Sequence, residues 1–198
     1  MISFLNESNE EPFRIFKSTY ERALQLNQNN IQAISISSYC LKTKYVDSRF
    51  VNLKFIDGDK FIFFTNYNSP KAKQFQGHEQ ISALIFWSSI NTQIRLKAII
   101  EKTSKEYNDA YFSSRDDKKN ALAISSKQSN KVDSFEIIKD NFYSTLESQN
   151  TRACPEYWGG YSFSPYEIEF WEGDKHRLNK RNFYQKDQDK WNHFILQP

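Results

Sequence analysis

The sequence predicts a mainly β protein with helices in its connections, an α+β fold. Strand-like segments recur along the chain without the strand–helix–strand alternation of parallel α/β proteins. Aromatic residues make up 16% of the chain, with 17 Phe and 11 Tyr, and these residues favour strands and deep packing. A chain of 198 residues can bury one core of ordinary size, so we expect a single domain over residues 1–198. An antiparallel β-barrel decorated with helices fits these observations.

The beginning of the chain has helical spacing. Phe13, Phe16 and Tyr20 follow Pro12 at intervals of three or four residues, which predicts an amphipathic helix over residues 11–28. The polar stretch before this helix lacks the basic and apolar parts of a secretory signal. No apolar run reaches the roughly 18 residues that a membrane span needs. We therefore expect a cytoplasmic protein with no membrane partner.

Strands and short helices are predicted for the rest of the chain. Strands are expected over residues 31–39, 45–56, 60–66, 80–87, 93–101, 161–171, 176–185 and 191–196. Helices are expected over residues 69–75, 104–112, 116–124 and 133–146. Asp57-Gly58-Asp59 is a strong hairpin signal, and Asp133 with Glu136 has the spacing of a capping box.

Charge and cysteine usage restrict the possible partners. A net charge of +3 permits an anionic ligand but is not the concentrated basic face that nucleic acid requires. Cys40 and Cys154 lack metal-ligand spacing, as do the three scattered histidines, so no metal site is expected. The two cysteines fit a reducing compartment and leave one disulfide open. No glycine-rich nucleotide-binding pattern occurs, which argues against a Rossmann or P-loop site.

The most informative segment is residues 170–185, FWEGDKHRLNKRNFYQ. The aromatic pair Phe170 and Trp171 precedes a cluster of cationic or titratable residues, Lys175, His176, Arg177, Lys180 and Arg181. Arginine offers planar bidentate donors to phosphate, and its plane also stacks on rings, so the segment suits a flat phosphate-bearing ligand. From charge alone, a solvated strand end is the simpler interpretation.

The segment 170–181 resembles the C-terminal signature of the pyridoxamine 5′-phosphate oxidase family, F-W-x-G-x-x-x-R-L-H-x-R, with Asn179 in place of the family's His. Further motifs match in chain order. Residues 49–54 resemble R-x-V-L-L-K, residues 63–66 with 69–72 resemble F-Y-T-N and S-R-K-A, residues 111–115 resemble Y-F-x-S-R, residues 126–129 resemble S-x-Q-S, and residues 158–161 resemble W-G-G-[FY]. The resemblance covers residues 11–198.

The resemblance implies an FMN-binding split β-barrel that forms a homodimer with two flavin sites at the subunit interface, and C-terminal strands over residues 161–198 that carry flavin and substrate contacts. It implies hydride transfer from pyridoxamine or pyridoxine 5′-phosphate to FMN, which yields pyridoxal 5′-phosphate, and reoxidation of the flavin by O2. Longer family members carry an N-terminal extension that can cover the active site, and little room for one is expected here.

The cofactor site follows from the resemblance residue by residue. The residues expected to contact FMN are Arg49, Phe50, Val51, Asn52, Leu53, Lys54, Phe64, Thr65, Pro70, Lys71, Gln93, Gln128, Ser129, Trp171 and Arg181. Arg49 would reach the phosphate, as would Thr65 and Lys71 at a helix N-terminus that offers free N–H groups. Gln128 and Ser129 would come from the partner subunit. The family has Arg where this chain has Pro70, and Tyr where it has Phe64, so one phosphate contact and one hydroxyl are lost.

The substrate site is matched less completely. The residues expected to contact substrate are Lys54, Tyr111, Arg115, Lys119, Arg177 and Asn179, with Arg177 and Asn179 nearest to the chemistry. Strand periodicity places Arg49 and Lys54 on opposite faces, so these two need not share a ligand group. Lys119 replaces a phosphate-binding Ser of the family. Asn179 can form hydrogen bonds like the family's His but cannot become cationic.

Three functions are compatible with the sequence. The first is oxidation of pyridoxamine or pyridoxine 5′-phosphate. The second keeps the flavin and changes the substrate, as in the phenazine-biosynthesis oxidases, and rests on Lys119 and Asn179. The third is a non-catalytic flavin- or nucleic-acid-binding protein, and rests on Pro70 and the cationic cluster at 175–181. The motif Trp158-Gly159-Gly160-Tyr161 is interpreted as structural support and not as part of the chemistry, because its paired glycines adopt backbone conformations that other residues cannot.

Overall fold

The computed structural model describes residues 1–148 and 150–198, and its ten strands form one sheet. The strands are β1 (Ser3–Leu5), β2 (Ala33–Tyr39), β3 (Val46–Asn52), β4 (Phe55–Asp57), β5 (Lys60–Asn66), β6 (Gln80–Trp87), β7 (Thr92–Lys102), β8 (Trp158–Glu172), β9 (Lys180–Asp187) and β10 (Lys190–Ile195). The α-helices are α1 (Glu11–Gln25), α2 (Pro70–Gly77), α3 (Lys105–Ser114), α4 (Asp117–Ser125) and α5 (Phe135–Ser148). None of the helices in this described part is long and apolar enough to cross a membrane.

The sheet has the order β1-β4-β5-β8-β7-β6-β2-β3, and β9 and β10 branch from β8. The long strand β8 pairs with β5 near its beginning, with β9 near its end, and with β7 over both parts. Every pairing is antiparallel except that of β1 with β4, which is parallel. The expectation of a purely antiparallel sheet is therefore wrong at this edge, because three N-terminal residues pair with a strand some fifty positions later.

Helix α1 covers the inner face of the curled sheet. The Phe16 ring lies 5.0 Å from that of Phe61 and 5.6 Å from that of Trp87, both at steep angles. The Trp87 indole also donates to the carbonyl of Ile31, so its polar atom is satisfied inside the core. The amphipathic spacing of residues 11–28 therefore predicts the helix correctly, although the helix ends at Gln25.

Several elements begin or end at residues other than those predicted from the sequence. The predicted strand 45–56 is broken after Asn52, where the N–H groups of Leu53 and Lys54 turn to the carbonyls of Gln32 and Ile62. The predicted strand 176–185 begins only at residue 180, because residues 174–179 form a loop. Helix α5 begins at residue 135, and the Ser134 hydroxyl, not the predicted capping box, accepts from its first turn at 3.4 Å. Both cysteines are free thiols.

The paired glycines at the start of β8 are required for close approach. Neither Gly159 nor Gly160 has a positive φ, so the expected reason, backbone freedom, is wrong. A Cβ on Gly159 would overlap the Tyr67 hydroxyl and the Asn108 amide. The same amide bonds the Tyr67 hydroxyl at 3.0 Å, and its oxygen accepts from the Gly160 N–H at 2.7 Å. Strand β8 is thereby held against α3.

We expect Gly159→Ala to lower the free energy of unfolding by about 1–3 kcal/mol, the usual cost of overpacking. The control is Gly77→Ala, because a Cβ there meets only Leu41, at 3.4 Å, and alanine favours the helix. Denaturant unfolding of both variants measures the difference. Equal stabilities would contradict the close-approach explanation.

Candidate active site

A cavity of about 960 Å³ is bounded by β3, β5, the start of α2 and the connection between α3 and α4. Most of the residues predicted from sequence line it: Arg49, Phe50, Val51, Asn52, Lys54, Phe64, Thr65, Pro70, Lys71, Tyr111, Arg115, Lys119, Gln128 and Ser129. Arg49 and Lys54 both reach the cavity, although strand alternation places them on opposite faces. The reason is that β3 ends at Asn52, so Lys54 lies beyond the regular alternation.

The first cation group of the cavity is Arg49 with Lys71. Lys71 lies in the first turn of α2, is only 8% exposed, and places its Nζ 3.1 Å from the Thr65 hydroxyl. Burial lowers the pKa of Lys71 to about 8, and the nearby Arg49 charge acts in the same direction. Arg49 is held by the Ser38 hydroxyl at 2.6 Å and by the Gln74 amide oxygen at 2.9 Å. Buried cations at a helix N-terminus form a site for an anion.

Gln128 lies beside this first group in the same chain. Its amide oxygen accepts from the Thr65 hydroxyl at 3.1 Å and from the Asn66 N–H at 3.3 Å. The expectation that Gln128 and Ser129 come from the partner subunit is therefore wrong, because the segment after α4 folds back onto the end of β5. Ser129 follows Gln128 in the lining, with a φ of 69°.

The second cation group is Lys54, Arg115 and Lys119. The Arg115 guanidinium lies over the Trp158 ring, 4.4 Å from its centroid, and donates through Nη2 to the Lys119 carbonyl at 3.3 Å. Its Nη1 atom is buried without a hydrogen-bond partner among the described residues. Burial, followed by the charges of Lys119 and Arg115, lowers the pKa of Lys54. An unpaired buried guanidinium nitrogen is a donor available to an anionic ligand.

Tyr111 stands beside the second group on an aromatic wall. Its ring stacks on Phe64 at 4.0 Å, and Phe64 stacks in turn on Trp158 at 5.2 Å. Burial raises the pKa of Tyr111, so its phenol is protonated at neutral pH and can donate a hydrogen bond. The W-G-G motif predicts structural support only for Trp158, yet the Trp158 ring lines the cavity and lies under the Arg115 guanidinium. The W-G-G motif was the signal that pointed to it.

The cavity carries an excess of positive charge, since five cations and two carboxylates, Asp47 and Asp116, line it. Of its five cations, Arg49 alone has a carboxylate within ion-pair distance in the described part of the chain, namely Asp47 at 4.0 Å. The Gln74 amide also donates to Asp47, which ties that carboxylate to the wall. Burying ammonium and guanidinium groups without counter-ions is unfavourable unless a ligand supplies the negative charge. The donor set, with hydroxyls and a helix N-terminus, fits phosphate groups.

The remaining predicted residues lie outside this cavity. Gln93 is directly opposite Trp171, and Trp171 is directly opposite Arg181, so the three side chains share one sheet face. Arg181 donates to Glu169 at 2.7 Å and to the Gln197 carbonyl at 2.8 Å. We call Gln93, Trp171 and Arg181 the three-strand row. Leu53 does not line the cavity either, since its side chain is fully buried in the core.

Arg177 and Asn179 lie in the exposed loop that precedes β9. The Asn179 amide oxygen accepts from the Asp174 N–H at 3.1 Å, and the Asp174 carbonyl accepts from the Arg177 N–H at 3.0 Å. Arg177 has a φ of 63°, a left-handed conformation that is uncommon for residues other than glycine. Asn179 thus closes the loop on whose tip Arg177 is displayed.

Two family models match most of this chain. Residues 32–146 match the family model described as pyridoxamine 5′-phosphate oxidase, and residues 158–198 match the pyridoxine 5′-phosphate oxidase C-terminal dimerisation region. The chain belongs to the pyridoxamine 5′-phosphate oxidase family. It is therefore an oxidoreductase of the pyridoxamine 5′-phosphate oxidase type. The dimerisation region contains β8, β9 and β10, and so includes Trp171 and Arg181 of the three-strand row.

Members of the pyridoxamine 5′-phosphate oxidase family are similar over almost the whole chain. The pyridoxine/pyridoxamine 5′-phosphate oxidase of Legionella pneumophila (strain Lens) is 36% identical over 190 residues, 95% of this chain and 88% of that protein. The enzyme of the same name from Colwellia psychrerythraea (strain 34H) is 35% identical over 196 residues, 96% of this chain and 88% of that protein.

Solved structures confirm the split-barrel fold of the family. PhzG from Burkholderia lata 383, solved in complex with tetrahydrophenazine-1-carboxylic acid, has a TM-score of 0.90 at 24% identity and covers 96% of this chain and 93% of its own. A pyridoxamine 5′-phosphate oxidase-related, FMN-binding protein from Nostoc punctiforme has a TM-score of 0.78 at 15% identity, with 96% and 99% covered. At these identities the likeness concerns the fold alone.

The buried charge of Lys71 predicts a pH dependence of stability. Lysine in an unfolded chain titrates near about 10.4, whereas Lys71 in the folded protein titrates at about 8. Between these values the unfolded chain binds more protons, so in the anion-free protein the free energy of unfolding contributed by Lys71 rises with pH. Denaturant unfolding of the parent and of Lys71→Met, from pH 7 to 10, measures this contribution. Parallel pH profiles would contradict the assignment.

Proposed function

We propose that the protein oxidises pyridoxamine 5′-phosphate and pyridoxine 5′-phosphate to pyridoxal 5′-phosphate, with FMN as cofactor and O2 as electron acceptor. The observation that carries the proposal is the presence of two cation groups in one cavity, Arg49 with Lys71 and Arg115 with Lys54 and Lys119. FMN and the substrate each bring one phosphate, so each group receives an anion. The family membership supports the same assignment.

The first cation group would hold the FMN phosphate. Arg49 and Lys71 supply charge, the Thr65 hydroxyl supplies a donor, and the first turn of α2 supplies free N–H groups. Pro70 offers no side-chain donor, but it leaves those backbone groups accessible at the helix start. Gln128 and Ser129 lie beside this group, and the backbone of residues 50–53 would run along the isoalloxazine edge. When bound, FMN supplies the hydride acceptor of the reaction.

The second cation group would hold the substrate phosphate. Arg115 is pre-oriented by the Trp158 ring and has a free donor, and the protonated phenol of Tyr111 adds another. Lys119 brings an ammonium to the position where the family has a hydroxyl. The added charge favours a phosphate dianion over a carboxylate, because the electrostatic attraction grows with the ligand's charge. Lys119 therefore supports a phosphorylated substrate and not the phenazine-type alternative.

A homodimer would complete the site. The three-strand row does not line the cavity of its own chain, yet it lies in and beside the matched dimerisation region. On the same sheet face, Phe50, Leu84 and Phe86 are 75%, 38% and 54% exposed, an apolar surface that a partner would cover. Within such a dimer, Gln93, Trp171 and Arg181 of one subunit would contact FMN in the other. Arg177 would lie over the substrate ring, positioned by Asn179.

The decisive experiment is the visible absorption spectrum of the purified protein. We expect a flavin spectrum that bleaches on anaerobic addition of pyridoxamine 5′-phosphate and returns when O2 is admitted. Pyridoxal 5′-phosphate and hydrogen peroxide should appear in equal amounts. A yellow protein that neither phosphorylated vitamer bleaches would indicate a family member with another substrate. A colourless protein that FMN does not reconstitute would refute the cofactor assignment.

Mixed dimers test the shared site. Lys71→Met damages the cavity, and Arg181→Met damages the three-strand row, so each variant dimer alone should be nearly inactive. In a randomly exchanged mixture, half of the dimers are mixed and each contains one undamaged site, so activity should return to about a quarter of the parental value. The double variant, with Lys71→Met and Arg181→Met in the same chain, is the control after the same exchange treatment, because none of its dimers contains an undamaged site. No recovery in the mixture of the two single variants would contradict a site formed from two subunits.

A further inference from the structure

Arg152, in the segment between α5 and β8, is outside the cavity lining but contacts the connection between α3 and α4. Its Nη1 donates to the carbonyl of Ser113 at 2.7 Å and to that of Arg115 at 3.1 Å. Its Nε and Nη2 lie 3.0 Å from the two carboxylate oxygens of Asp117, a bidentate pair. One guanidinium thus ties the end of α3 to the start of α4.

The geometry of these contacts is one in which an exposed ion pair contributes to the stability of the local structure. Isolated surface pairs contribute little, but a bidentate arginine–carboxylate pair within a network is the recognised exception. The Thr151 hydroxyl donates to the same carboxylate at 2.7 Å and completes the network. The two carbonyls belong to the C-terminal end of α3, where a cation also interacts favourably with the helix dipole.

The connection that Arg152 holds carries the second cation group. Arg115 lies between the two ends of the connection, and its carbonyl is one of the Arg152 acceptors. The Arg115 side chain reaches the Lys119 carbonyl, so a shift of this backbone would move both cations. Misplacement of a binding group by about 1 Å is enough to reduce binding and catalysis strongly.

Other contacts hold the beginning of α4 and the N–H of Arg115, which donates to the Phe112 carbonyl at 3.1 Å, but leave the Arg115 carbonyl to Arg152. The Asp116 carboxylate accepts from the N–H groups of Lys118 and Lys119 at 3.1 and 3.3 Å. The Asn120 amide donates to the Phe112 carbonyl at 2.9 Å. Neither contact engages the carbonyl of Arg115.

We propose that Arg152 is a positioning residue that fixes the Arg115 backbone and thereby sets the phosphate affinity of the second cation group. The proposal rests on the proposed function, since it assigns the anion of that group to a substrate phosphate. It predicts a selective effect. The affinity of substrate-site ligands that carry a phosphate should depend on Arg152, whereas the affinity of ligands without a phosphate should not. The affinity for FMN should not depend on Arg152 either, because the FMN phosphate would bind the first cation group.

The test compares two ligands that differ only in the phosphate, pyridoxal 5′-phosphate and pyridoxal, by equilibrium titration of the FMN-loaded protein. Arg152→Met should raise the Kd for pyridoxal 5′-phosphate by about tenfold or more and change that for pyridoxal by less than about twofold. Arg152→Lys, which keeps the charge without the fork, should fall between the parent and Arg152→Met. Arg14→Met, at an exposed arginine of α1, is the matched control and should equal the parent.

The outcomes separate the two proposals. A parent that binds both ligands equally overturns the proposed phosphate substrate and the role of Arg152 with it. A parent that discriminates, beside an Arg152→Met protein that discriminates equally, overturns the role of Arg152 alone. Equal weakening of both ligands also overturns it, because that result indicates general damage. If Arg152→Met does not fold, Asp117→Asn removes the bidentate charge pair from the other side, and the same ratio of affinities decides.

Discussion

An excess of positive charge in one cavity is the constraint on which the rest of the structure depends. Lys71 is buried at a helix N-terminus, where the helix dipole is itself positive, and Arg49 stands close enough to lower its pKa further. Neutral oxygens of Thr65 and Ser69 solvate the ammonium group in place of a carboxylate. Such a site is costly for the protein alone and favourable once an anion enters it. The arrangement is therefore best understood as a site shaped for its ligand.

The fold supplies this site through a close contact of the beginning of β8 with Tyr67, just after β5, and with helix α3. Gly159 and Gly160 allow the beginning of β8 to lie against Tyr67 and Asn108 without a clash. That approach places Trp158 beneath the Arg115 guanidinium and beside the Phe64 ring. A glycine pair that contributes no side chain thus determines where a cation of the second group stands. Core packing and ligand binding are set by the same few residues.

Local patterns predicted most of this molecule, and long-range contacts account for what they missed. Strands β5 and β6 begin and end at the predicted residues, because alternation and turn signals are local properties. Strand β1 was not predicted, since its three residues gain their pairing from a distant strand. The break before Lys54 was also missed, because hydrogen bonds to Gln32 and Ile62 impose it. Arg152 gave no signal, since two of its acceptors are backbone carbonyls, which any sequence provides.

The sequence motifs predicted which residues form the site more reliably than they predicted where each residue lies. The motifs identified both cation groups, but they could not show that Gln128 contacts Thr65 of its own chain. Nor could they show that the three-strand row lies outside the cavity of its own chain. Both facts depend on how the sheet curls and on where the segment after α4 returns. Whether a residue lines the cavity of its own chain therefore depends on the tertiary structure, and no local motif encodes it.

The two departures from the family pattern among the predicted substrate residues, Lys119 and Asn179, act on different parts of the site. Lys119 changes charge, and it does so where Arg115 and Lys54 already concentrate positive potential. Asn179 changes no charge at neutral pH but accepts the backbone N–H of Asp174 and closes the Arg177 loop. A histidine could accept that bond only through the unprotonated ring nitrogen of its neutral form, and protonation would abolish it. An amide oxygen accepts at any physiological pH, so the conformation of this loop is independent of titration at position 179.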